Sequence, residues 1–146
     1  MPAVATLIAV AVALFQYRNS KKEEFRKRFW EEQYALYSKA VSAAALIATA
    51  KDFHSIAAAR EEFWRLYWGA LCMVEDREVE AAMVDFGEVL AEAEKAGDIS
   101  DRPATGNART KFRDAAYYLA HSMRESLSRT WQPVDLGKLS GLRPVE

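Results

Sequence analysis

Apolar residues follow two different patterns along this chain. From Pro2 to Phe15 they run without interruption except at Thr6; from Trp30 onward they recur at steps of three and four between charged residues. A continuous run marks a helix buried on all sides, whereas recurring steps mark helices with one buried face. No segment reads convincingly as a strand.

The second pattern predicts four helices. The first runs unbroken to about Ala50, because no Pro or Gly interrupts residues 3–50. Trp30, Tyr34, Tyr37, Val41, Ala44 and Ala48 step by 4, 3, 4, 3 and 4 along it, a heptad seam. The second helix is expected from Ile56 to Val74, with Ser55 preferred to Asp52 as its N-cap and Gly69 a point of close packing rather than a break. The third begins near Asp76, which can cap it, and stops at Gly97. Val79, Met83, Phe86, Leu90 and Ala93 form its seam. Residues 97–107 carry turn chemistry. The fourth helix is expected from Ala108 to Arg129, capped by Asn107 or Thr105, with Phe112, Ala115, Ala116, Leu119, Met123 and Leu127 facing inward. Residues 75–101 hold two basic and ten acidic groups, whereas residues 102–146 have a net charge of +4. The third and fourth helices are therefore natural antiparallel neighbours. The fold class is all-α: an antiparallel helical bundle of about four helices, the first long and continuous with an N-terminal anchor. Its parts are an apolar segment at 1–17, a basic juxtamembrane helix at 18–28, the bundle at 29–130, and an extended or disordered tail at 131–146.

Charge gives the apolar run its meaning. Met1 to Tyr17 is uncharged, and Arg18, Lys21, Lys22, Arg26, Lys27 and Arg28 follow against only Glu23 and Glu24, a net of +4. Apolar then basic is how a membrane helix meets the cytoplasmic interface, and the positive-inside rule places the rest of the chain in the cytoplasm. These six cations are the candidate membrane-interface residues. Seventeen residues rise only about 25 Å, against a hydrocarbon core of about 30 Å. Three readings follow: the segment spans with local thinning and snorkelling cations; apolar residues upstream are missing; or the segment packs against a partner helix or its own copies. An Ala-Val-Ala at residues 9–11 or 11–13 imitates a signal-peptide cleavage site, but no basic n-region precedes the run.

Little chemistry is legible. With one cysteine, Cys72, an internal disulfide is excluded; its apolar surroundings predict a small buried hydrophobe. His54 and His121 have no zinc-protease or di-iron spacing, and no phosphate-binding glycine loop is present. Neighbours on a helix point apart, so His121 and Ser122 make no base–nucleophile pair. The carboxylates from Glu75 to Glu80 are explained by dipole compensation at a helix start as well as by a cation site. No cofactor, metal site or catalytic residue is expected, and the net charge of −1 argues against nucleic acid as a partner. The aromatic band around Trp64, Tyr67 and Trp68 is the candidate protein interface, since not all of its rings fit on one buried face. The segments Glu31–Tyr37, Phe63–Gly69 and Val74–Met83 resemble uncharacterised bacterial proteins with one N-terminal transmembrane helix and a small helical domain. That resemblance implies an anchored bundle and a longer apolar segment than the one here, and it transfers no catalytic residues.

The reading that results is a single-pass protein of the inner (cytoplasmic) membrane, non-enzymatic, acting as scaffold, sensor or adaptor. Its expected partners are the membrane and either its own copies or a membrane-protein complex. The alternatives are a soluble homo-oligomer whose apolar N-termini bury one another and, least favoured, a metal-dependent enzyme using helix carboxylates.

Overall fold

The computed structural model describes residues 2–97 and 106–131, with backbone alone for 2–11 and Trp131. Among them there are four α-helices and no strand: α1 (Pro2–Thr49), α2 (Phe53–Tyr67), α3 (Arg77–Ala96) and α4 (Gly106–Trp131). A short 3-10 turn, Ala70–Met73, joins α2 to α3. Most of the expected loop and all of the expected tail beyond Trp131 lie outside the described residues, as does Thr105.

The caps show why the helices start and stop where they do. Asp52, not Ser55, caps α2: its carboxylate accepts from the Ser55 amide at 2.8 Å. The preferred cap was thus off by three residues, because Ser55 supplies the amide that is capped. Asp76 does cap α3 as expected, accepting from the Glu78 and Val79 amides at 3.1 and 3.0 Å. Gly97 ends α3 at φ 72°, a left-handed conformation favourable to glycine. The expected extension of α2 to Val74 is not observed. The helix stops at Tyr67, and Gly69 sits in the break that was read as close packing. A Cβ at Gly69 would lie 2.5 Å from the Arg65 carbonyl oxygen, so only glycine fits there. The turn that follows swings Leu71 into the core. Asn107 lies inside α4 rather than capping it.

The four helices enclose one apolar core. Phe63 meets Phe86 at 4.8 Å between ring centres, and Phe86 meets Phe112 at 5.9 Å. Tyr37, Ile47, Ile56, Leu71, Val79, Leu90, Leu119 and Met123 are buried with them. Each such side chain contributes about 1.5–3 kcal/mol of transfer free energy. The whole predicted seam of α3 is buried. On α4, Phe112, Leu119 and Met123 are buried, while Ala115, Ala116 and Leu127 are half-buried. The α1 seam needed correction. Tyr37, Ala44 and Ala48 of the expected seam are buried, but the buried stripe also takes in Gln33, Ala40, Ala43 and Ile47, and Tyr34 is 53% exposed. Because α1 has α2 on one side and α4 on the other, its buried stripe is centred between them rather than along the line of its aromatics.

Charged contacts tie the ends together. The Arg129 guanidinium, near the end of α4, meets Asp76 and Glu78 at 3.0 and 2.7 Å at the start of α3. Lys111, near the start of α4, stands 3.8 Å from Glu92, near the end of α3. Arg109 donates to the Thr49 carbonyl at the close of α1. Such exposed pairs stabilise little, about 0–1 kcal/mol each, but they select which helix ends meet.

Candidate interaction surfaces

α1 leaves the bundle below Phe29. Every residue from Val12 to Arg28 is exposed, including Leu14 at 59%, Phe15 at 74% and Phe25 at 71%. The six basic residues predicted for a membrane interface all lie on this protruding length. Some of them pair along the helix: Lys21 and Arg28 each reach Glu24 at 3.1 Å, and Lys27 stands 3.9 Å from Glu31. Arg18, Lys22 and Arg26 form no ion pair among the described residues. Lys21 also lies over the Tyr17 ring at 5.9 Å. Among the described residues, no helix is long and apolar enough to cross a membrane.

A buried polar cluster holds this protruding helix to the bundle. Gln33 Nε2 donates to the Val74 carbonyl at 2.8 Å and to Tyr37 Oη at 3.1 Å. Tyr37 Oη donates to the same carbonyl at 3.3 Å and shares a 3.1 Å hydrogen bond with Ser126 Oγ. Burial pushes the Tyr37 phenol above its usual range, so it stays protonated. Burial also works against the neighbouring Asp76 carboxylate. Hydrogen bonds from the Val79 amide and Arg129, with the Arg129 charge, outweigh it and hold Asp76 below the ordinary aspartate range. The cluster therefore locks together α1, α4 and the turn before α3. Gln33, Ser122 and Ser126 were not foreseen in the core. The signal was present, because Gln33 stands one turn before Tyr37 and Ser126 one turn after Ser122, but polar residues at core spacing do not announce a partner.

The aromatic band of α2 divides. Trp64 and Tyr67 are half-buried against α3, where a Cβ on Gly87 would come within 3.2 Å of Tyr67 and 3.6 Å of Trp64. The close-packed glycine of this region is thus Gly87, on the facing helix. Trp64 Nε1 donates to Glu94 at 3.2 Å, and Glu94 also receives Arg60 at 2.8 Å. Trp68 alone projects, 77% exposed at the end of α2, with Met73 at 83% in the turn that follows. Cys72 is exposed rather than buried, since Leu71 occupies the inward position of the 3-10 turn; its thiol reaches the Tyr67 carbonyl at 3.3 Å.

His54 is exposed, and His121 packs against Tyr117 with ring centres 4.1 Å apart and tilted. No group of three or more His, Cys, Asp or Glu among the described residues is arranged to hold a metal ion. Comparison with protein-family models, curated proteins and solved structures finds no match to this chain.

Proposed function

We propose that this protein is a membrane-tethered, antiparallel helical bundle that acts through protein contacts as a scaffold, sensor or adaptor, without enzymatic chemistry. The observation that carries the reading is the protruding part of α1. Val12, Leu14, Phe15 and Tyr17 are exposed on a helix whose preceding sequence is apolar on every side. A helix apolar all round is stable only when covered all round, and lipid does that. The exposed cations nearest the apolar run, Arg18, Lys21 and Lys22, then stand at headgroup level, where each adds about 1 kcal/mol against an anionic leaflet. Residues 1–17 rise about 25 Å, and a mismatch with the hydrocarbon core costs only fractions of a kcal/mol per Å. Residues 18–28 rise roughly 16 Å more and hold the bundle off the surface as a stalk.

Flotation of the full chain with phosphatidylcholine–phosphatidylglycerol vesicles tests this reading. The chain is expected to float and to resist carbonate extraction, and Leu7→Lys with Leu14→Lys to abolish flotation. A wild-type chain that stays at the bottom of the gradient as a dispersed monomer overturns the tether. One that stays there as an oligomer supports apolar N-termini burying one another instead.

A further inference from the structure

We propose that the outer face shared by α1 and α4 is the docking surface for a second copy of this chain, with the two-fold axis running along the bundle. The inference rests on the tether, which holds neighbouring copies in the same orientation. The face contains a groove of about 560 Å³ between the two helices. Ala45, Ala48, Ala116 and Ala120 form its floor, so nothing bulky keeps another helix away. Tyr117, 67% exposed, stands at its edge. The Tyr117 ring lies against His121, with ring centres 4.1 Å apart. An exposed tyrosine beside a small-residue floor fits the composition of protein interfaces.

The choice of a second copy comes from charge. Arg113 and Asp114 both line this groove, and neither forms an ion pair among the described residues. Being adjacent in α4, they stand within about 1.5 Å of one height. A two-fold axis along the bundle brings each height of one copy against the same height of the other. Arg113 of each copy then meets the opposite charge of its neighbour, twice over. An end-to-end arrangement would lose this match. Confinement of both copies to one membrane also raises their effective concentration, so a modest interface suffices.

The test uses the full chain in vesicles, with Cys72→Ser removing the native thiol. Tyr117→Cys in that background is expected to give about tenfold more dimer with a short bismaleimide than Trp68→Cys, which labels a different edge of the bundle. Arg113→Asp or Asp114→Arg alone places like charges opposite each other and should cut the Tyr117→Cys dimer about tenfold. The two reversals together should restore it. Equal crosslinking at the two sites overturns the proposal, as does a double reversal that fails to recover. Flotation of the same samples separates the two readings. Protein that floats without crosslinking at 117 sinks the pairing alone; protein that crosslinks at 117 without floating sinks the tether and leaves the pairing intact.

Discussion

Tyr37→Phe removes one oxygen from the cluster that fastens the tethered helix to the rest of the bundle. The ring is 1% exposed and keeps its packing, so the change isolates the hydroxyl. Gln33, 3% exposed, loses the acceptor of one amide proton, and Ser126, 1% exposed, loses its 3.1 Å partner. The Val74 carbonyl retains Gln33 at 2.8 Å. One orphaned buried donor costs about 1–3 kcal/mol, and the loss of a net hydrogen bond about 0.5–1.5 kcal/mol. Together these terms place the total near 2 kcal/mol. For a bundle of this size that lowers Tm by about 8 °C. Thermal unfolding of the full chain in mild detergent, followed by circular dichroism, measures it. A second arm uses Ser126→Ala: the double variant should cost at least about 0.5 kcal/mol less than the sum of the singles, because each single change strands the other group. A Tyr37→Phe loss below about 0.5 kcal/mol, with additive singles, would refute the claim that this cluster couples α1 to α4.

Asp76 gives the fold an acid limit. Its pKa is depressed in the folded chain, so its stabilisation is complete above the unfolded value and disappears as pH falls through the folded one. Tm should therefore drop as the pH is taken below about 4, and Asp76→Asn should flatten that slope, as read from melting curves across the acid range. Gly87→Val drives a branched side chain into Tyr67 and Trp64 and is expected to cost about 1–3 kcal/mol in urea unfolding. Gly87 tolerating valine with no loss would show that α2 does not lie closely on α3 there. Phe63→Ala, at a fully buried ring against Phe86, should cost about 3–5 kcal/mol. Trp68→Ala, at a ring 77% exposed, should change unfolding by no more than about 0.5 kcal/mol. Equal losses at these two positions would contradict the division of the aromatic band.

What the sequence by itself determined is local. The helical period, the Asp76 start and Gly97 stop of α3, and the α3 seam are written in neighbouring residues, because caps and amphipathic stripes depend on partners within about one turn. The apolar run, followed by six cations, was equally plain. Tertiary structure alone decided which side of a helix is covered when two neighbours compete for it. The α1 stripe shifted from Tyr34 to Gln33 for that reason, and Trp64 turned inward while Trp68 stayed out. It also decided that Gly69 breaks α2 and that Gly87 admits the rings of α2, since both depend on atoms that only folding brings together. The Gln33–Tyr37–Ser126 cluster belongs to the same class. Tyr37 and Ser126 lie 89 positions apart, and a buried polar side chain has no signature until the group that satisfies it is in place.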